Sequence, residues 1–318
     1  MKTYLGMDFG GTKLLIGEMD GEGNTLRSKR YGTGAQNQEQ AVKILLNALE
    51  DYQKTVGFKG ELAGAGLGIV GVVNHTEGLW VSINHNITAP PIPLALMISD
   101  KLKVPAAIDN DVRSTTTAEL LWGHGKRSKN FIYLNVGTGL AAGFVIDGRI
   151  LRGANNNSGE IGHMVTDIKS AQECICGRCG CAENVVSGVG FTRSAKELSA
   201  SYKTALEIPA EGGVDVVELF RLADEGDPLC VKLTEQAAET LACVMMNLIR
   251  VSDPDMFIVG GGIVSDGWLM KKVQGGLLNP ATIRGLHNGI VLSKFMPQNA
   301  GLAGAGAVAR VAAQQKLI

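Results

Sequence analysis

The chain has 318 residues, 45% of them hydrophobic, enough to bury one large core or two moderate ones, and its length favours two domains. Thirty basic against 31 acidic residues leave a formal charge of −1, so nothing electrostatic draws it to nucleic acid or an anionic membrane, and small molecules are the expected partners. No apolar run approaches the roughly 18 to 20 residues that cross a bilayer, and the N-terminus lacks the basic and apolar regions of a signal peptide; the expected compartment is the cytoplasm.

In chain order, Thr3 to Met7 reads as a strand, Gly10-Gly11 as a turn, and Leu14 to Met19 as a second strand closed by Asp20-Gly21, which makes a β-hairpin. Gln38 to Val56 carries Val42, Leu45, Leu46 and Leu49 at helical spacing. Ala63 to Val70 reads as a buried strand, Val72 to Ser82 as a hairpin, Leu94 to Leu102 as a helix and Ala106 to Ile108 as a short strand. Asp109-Asn110-Asp111 then leads into a helix ending at Trp122, with acidic residues where a helix N-terminus favours them. Phe131 to Val136 and Ala141 to Ile146 are strands on either side of Gly137-Thr138-Gly139. Beyond the cysteines the pattern is mainly helical, with a long apolar helix from Leu233 to Val251. A strand from Asp255 to Val259 follows, ending in Gly260-Gly261-Gly262, and a last helix spans Gly301 to Gln314. Strands and helices mixed in this order predict α/β layers that bind ligands at strand C-termini.

The opening hairpin has a counterpart past the middle. Tyr4-Leu5 answers Tyr133-Leu134, Asp20-Gly21 answers Asp147-Gly148, and each half carries a Gly-Thr loop between its strands. Two related halves facing one cleft explain this, as does independent use of common turn formers.

Three strand-end loops are candidates for phosphate. In Asp8-Phe9-Gly10-Gly11-Thr12-Lys13, backbone N–H groups and the Thr12 hydroxyl suit phosphate oxygens, and Asp8 suits Mg²⁺ held through water; the competing reading is a plain hairpin turn. The loop matches neither a Walker sequence nor a dinucleotide fingerprint. Gly137-Thr138-Gly139 and Gly260-Gly261-Gly262 have the same character, and three such loops suit a nucleotide. Asp111 follows a short strand and is the candidate general base, with Asn110 suited to neighbouring hydroxyls; helix capping is the alternative for this tripeptide.

Cys174, Cys176, Cys179 and Cys181 crowd into eight residues, with His163 upstream in Gly159-Glu160-Ile161-Gly162-His163. Zn²⁺ and disulfides both fit so dense a cluster, and the lack of a secretory signal favours the metal. Glu160, His163 and Glu183, tied to the cluster, suggest that a metal would shape a binding site without performing the reaction.

Taken together these motifs resemble the ROK family of bacterial sugar kinases and repressors, glucokinase-like members among them, over essentially the whole chain. The resemblance rests on Asp8 to Lys13, Asn110-Asp111, Gly137-Thr138-Gly139, Gly159-Glu160-x-Gly-His163, Cys174-x-Cys176-Gly-x-x-Gly180-Cys181-x-Glu183 and Asp253-Pro254 before the triple glycine. It implies an actin-like ATPase (ribonuclease H-like) fold of two α/β domains flanking a central cleft. The expected smaller domain is 1–118 plus 301–318, with the first phosphate loop and Asp111; the larger is 119–300, with the zinc site, the second phosphate loop and the adenosine-side glycines. It also implies a homodimer that phosphorylates a hexose, glucose foremost, at O6 with MgATP. Asp111 would be the base; Asn86, Asn110, Glu160, His163 and Glu183 would bind sugar; and structural zinc would sit on His163, Cys174, Cys176 and Cys181.

This chain departs from the family pattern at Cys179, an additional cysteine, at Arg113, where Asn is common, at Ser158, where Ala is usual, and at Val70, in place of a Pro before Gly71. A repressor would need a DNA-reading helix ahead of Asp8, and a silent sugar sensor would not need Asp8 and Asp111. His75, His85, His124 and His287 read as ordinary surface or loop histidines, Trp80, Trp122, Met245 and Met246 as packing, and Lys126-Arg127-Ser128-Lys129 as a solvated turn.

Overall fold

The structure is a computed structural model that describes residues 1–35, 37–83, 89–295 and 297–315; Asn86 and His85 lie outside the described residues. In chain order it forms β1 (Lys2–Phe9), β2 (Lys13–Met19), β3 (Thr25–Gly32), α1 (Gln38–Thr55), β4 (Glu61–Ile69), β5 (Val72–Asn74), β6 (Leu79–Ser82), α2 (Leu94–Leu102), β7 (Ala106–Asn110) and α3 (Asp111–Trp122). There follow β8 (Phe131–Val136), β9 (Leu140–Ile146), β10 (Arg149–Ile150), α4 (Gly188–Leu198), α5 (Val216–Asp224), α6 (Pro228–Ser252), β11 (Met256–Gly260), α7 (Trp268–Lys272), α8 (Pro280–Ile283), β12 (Gly289–Leu292) and α9 (Pro297–Gln315). Two compact units result: Met1–Lys126 with Arg149–Ser158 and Lys294–Ile318, and Arg127–Gly148 with Gly159–Ser293. The first unit thus runs past residue 118 and keeps α3 whole.

In the first unit a five-stranded sheet has the order β3-β2-β1-β4-β7. β1, β2 and β3 are antiparallel neighbours, whereas β1, β4 and β7 run parallel. Asp8 pairs with Gly68, and Gly68 with Asp109, so the C-terminal ends of β1 and β7 lie at one edge of the sheet with a single strand between them. α1 covers one face with Val42, Leu45, Leu49 and Tyr52, and its N-cap Asn37 accepts from Gln40 N–H. α9 lies against β1, β4 and α3. It comes that close because both surfaces are stripped of side chains: a Cβ at Gly6 would lie 2.8 Å from Gly306 N, and one at Gly66 would collide with Ala305 O and Ala309 N.

The second unit repeats this plan, with β8 antiparallel to β9 and parallel to β11, and β11 parallel to β12. Its order β9-β8-β11-β12 matches β2-β1-β4-β7 of the first sheet position for position, in agreement with the related halves suggested by the two hairpins. Its core is built from Ile132, Leu134, Phe144, Phe191, Leu219, Leu241, Met245 and Phe257. The strands that composition did not reveal, β3, β10 and β12, are edge strands: β3 reads TLRSKRYG and is half exposed along its length, as edges protected by charge are. α6 begins a turn and a half ahead of the expected Leu233, capped by Asp227 with Pro228 at its first position.

Candidate active site and metal centre

The sulfur and nitrogen atoms of His163, Cys174, Cys176 and Cys181 lie within 4.8 Å of one another. Cys174 Sγ is 3.4 Å from His163 Nδ1 and Cys176 Sγ is 3.6 Å from Cys181 Sγ. A tetrahedral Zn²⁺ with bonds of about 2.0–2.3 Å spaces its ligands by about 3.4–3.8 Å, so this donor set fits the ion. The local fold provides the spacing. Gly177 N–H donates to Cys174 O and Cys174 N–H to Arg178 O, closing a knuckle around Cys174 and Cys176, and a Cβ at Gly180 would collide with Asp167 O. All six cysteines are free thiols, so the metal reading stands over disulfides; Cys179 is exposed and turns to Ala171 O, outside the group. Burial works against ionisation of Cys176, but the Arg178 backbone N–H and the Cys181 and Cys174 thiols bring its pKa below the ordinary thiol value. Burial, with the Cys176 and Cys174 sulfurs beside it, pushes Cys181 up to about 12. Without metal the cluster therefore retains protons that a bound ion would displace.

Glu183 follows Cys181 on a single 3₁₀ turn, and its Oε2 accepts from Leu140 N–H at 2.9 Å. A Cβ on Gly139 would sit 2.6 Å from that oxygen, so the Gly137-Thr138-Gly139 loop is seated directly on Glu183. Gly159, at φ 100°, accepts from Ala142 N–H through its carbonyl, and a Cβ there would strike Ala142 O. Gly162 closes equally tightly on Leu140 O. The two glycines of the Gly-Glu-x-Gly-His motif let it lie against β9 while Glu160 and His163 extend from it.

Two glycine loops meet at the C-terminal ends of β8 and β11. Gly261, at φ 100°, approaches Val136 O too closely for any Cβ, and Ile263 N–H donates to the same carbonyl. Gly188 N–H donates to Gly137 O and Val189 N–H to Thr138 O, which aims the N-terminus of α4 at that loop. Beside it a cavity of about 670 Å³ is lined by Thr138, Val189, Thr192, Arg193, Lys196 and Gly213, among others. Apart from Thr138, sequence reasoning missed these residues. The signal was present in Ser187, the N-cap of α4, followed by Gly188 and Gly190.

In the first unit, Gly10 N–H donates to Lys13 O at 2.9 Å and Thr33 Oγ1 to Gly11 O at 2.8 Å, so the Asp8–Lys13 segment is indeed a hairpin turn. Yet the fold does not demand glycine there: a Cβ at Gly11 meets nothing within 4 Å, and at Gly10 only Lys13 O at 3.6 Å. Gly262 is equally open. Glycine where the protein leaves room for a side chain is what close approach of a ligand would require. Asp8 is largely buried, and desolvation raises its pKa against the attraction of Lys13.

Asn110 is the N-cap of α3. Its Oδ1 accepts from Val112 N–H and Arg113 N–H, and its Nδ2 donates to Gly71 O at 3.4 Å. The capping reading thus holds for Asn110, while Asp111, in the first turn, is only partly buried. Asp109 is fully buried and holds Arg113 Nε at 3.2 Å, Arg152 Nη2 and its neighbour's Asn110 N–H. His75, expected to be an ordinary loop residue, is 14% exposed, with Nδ1 2.8 Å from Ile108 O and 3.5 Å from Asp109 Oδ2. Burial lowers its pKa more than Asp109 raises it. Among the described residues no helix is long and apolar enough to cross a membrane.

Glucokinase of Halalkalibacterium halodurans is 29% identical over 86% of this chain and 84% of its own. N-acetyl-D-glucosamine kinase of Pectobacterium atrosepticum is 31% identical over 82% and 84%. The crystal structure of a ROK family glucokinase from Streptomyces griseus in complex with glucose and AMPPNP superposes with a TM-score of 0.75 at 25% identity, over 97% of this chain and 99% of that one. With a ROK family model matching residues 4–312, the chain belongs to the ROK family and has its actin-like ATPase fold.

Proposed function

We propose that this ATP-dependent ROK sugar kinase transfers the terminal phosphoryl group of MgATP to the 6-hydroxyl of a hexose, glucose foremost, with Asp111 as the general base. The observation that carries the reading is the setting of Asp111: the first residue of α3, at the end of β7, next to the capping Asn110 and the fully buried Asp109. A carboxylate held there can accept the hydroxyl proton as the oxygen attacks phosphorus. The remaining Asn110 amide hydrogen, Glu160, His163 and Glu183 supply donors and acceptors for the other hydroxyls, and Asn86 joins them on the strength of the resemblance. Gly10, Gly11, Thr12, Lys13, Gly137, Thr138, Gly139, Gly260, Gly261 and Gly262 take the phosphates and nucleotide, the cavity beside Thr138 being suited to the adenosine. Mg²⁺ would supply positive charge to the transferring group, and the buried carboxylate of Asp8 suits its hydration shell.

A structural zinc would be held by His163, Cys174, Cys176 and Cys181. Bound through His163 Nδ1, the atom beside Cys174 Sγ, it would leave Nε2–H in a fixed tautomer to donate to sugar. Glucose is favoured by the glucokinase relative, while the N-acetyl-D-glucosamine kinase supports an N-acetylhexosamine as the second reading. A homodimer is carried by the resemblance alone.

A coupled ADP-release assay with MgATP over glucose, mannose, fructose, allose, N-acetylglucosamine and N-acetylmannosamine tests this. One sugar should turn over, and Asp111→Asn should lower its kcat on the order of 10²-fold or more without loss of sugar binding. Sugar binding without turnover in the wild type would instead identify a silent sensor.

A further inference from the structure

We infer that Arg113, with Arg152, is a positioning residue that clamps the buried carboxylate of Asp109 and so fixes the Asn110-Asp111 peptide for catalysis. The inference rests on the kinase reading for its kinetic consequence and on geometry alone for the clamp. Arg113 stands at the third position of α3, where a helix N-terminus disfavours a cation. It is nonetheless buried, 4% exposed at the side chain, and two of its guanidinium nitrogens are engaged: Nε with Asp109 Oδ1 at 3.2 Å and Nη1 with Ser158 O at 3.1 Å. Arg152 grips Asp109 Oδ2 from the opposite oxygen.

Asp109 already has Arg152 as counter-ion, and a second buried arginine on the same carboxylate adds a desolvation cost. What the second arginine adds is direction. Asp109 Oδ1 also accepts from Asn110 N–H, so one oxygen ties the helix side chain to the backbone immediately before Asp111. The other end of Arg113 holds the carbonyl of the Ser158–Gly159 peptide bond, which leads into Glu160. Within the first unit, one planar guanidinium thus ties the start of α3, which carries the proposed base, to the end of the 149–158 segment, and both residues it links, Arg113 and Ser158, are departures from the family pattern. A lysine reaches only as a point charge and cannot reproduce both bonds in one plane.

Arg113→Met, Arg113→Lys and Arg152→Met test the clamp through steady-state kinetics, thermal unfolding and hydrogen exchange over residues 109–113. Arg113→Met should lower kcat on the order of 10²-fold, as small misplacements of reacting groups do, with the KM for ATP unchanged within about twofold. Exchange over 109–113 should quicken, and Arg113→Lys should recover part of the lost kcat. A kcat for Arg113→Met within about threefold of wild type, or a Lys variant no better than Met, would overturn the inference. If the wild type phosphorylates no sugar, the kinase reading falls separately, and hydrogen exchange decides: unchanged exchange in Arg113→Met refutes the clamp, faster exchange supports it. Should Arg113→Met not fold, the same criteria apply to Arg152→Met, whose side chain is 24% exposed.

Discussion

Asp8 is kept where its charge is poorly solvated. It ends β1, and α9 passes so near that a Cβ on Gly301 would collide with its carboxyl group. Burial raises its pKa above the ordinary 3.8, so the folded protein holds this proton to higher pH than the unfolded chain does. The associated stability is complete below about 3.8 and is lost as pH rises through the folded value. Asp8→Asn should therefore raise the melting temperature at pH 7 and leave it unchanged near pH 3, while MgATP-dependent turnover falls on the order of 10²-fold. Calorimetry at the two pH values checks the first expectation, the coupled assay the second. A residue that destabilises the resting fold this way is readily kept for a bound cation. Asp8, Asn110 and Asp111 were legible as residue types in strand-end loops. The partners that define Asp109, namely Arg113, Arg152 and His75, were not, because they lie four, 43 and 34 positions away and meet only through β7 and α3.

At the scale of elements, the cysteine knuckle, the Gly-Glu-x-Gly-His segment and the β8–β9 loop form one connected piece of the second unit. His163 belongs to the group of donors that fits a metal, Cys181 precedes Glu183, and Glu183 carries the loop at Gly139. Loss of the metal should free His163 and Glu183 together. Chelation, or Cys181→Ser, should raise the sugar KM about 10- to 100-fold, the range expected when groups supporting a ligand are lost, and lower the melting temperature. The KM for ATP should change far less; metal content and steady-state kinetics on the same samples measure both. The cysteine spacing was readable because thiolates crowd around a metal within a short stretch of chain. That Cys179 stands apart was decided by the turn at Gly177 and Gly180, which directs its sulfur to Ala171 O.

Across the whole molecule, two sheets of identical strand order each carry glycine loops at the ends of their parallel strands. α9 returns from the end of the chain to complete the first unit, backbone against backbone. Gly66→Ala inserts a methyl group where Ala305 O and Ala309 N already stand. It should destabilise the protein by about 1–3 kcal/mol, the usual range for overpacking, visible as a lower midpoint in denaturant. The second unit's metal content should not change, since its core is separate. The sequence by itself determined what depends on near neighbours: helical and strand periodicity, the crowded cysteines and the glycine loops. Only the tertiary structure decided what depends on chain segments far apart: the edge strands, which are polar without alternation or only a few residues long, the packing of α9 on glycines 6, 64 and 66, and the Asp109 clamp. The physical reason is that periodicity records which face of an element is buried, whereas the atoms that meet across that face are set by the fold that brings them together.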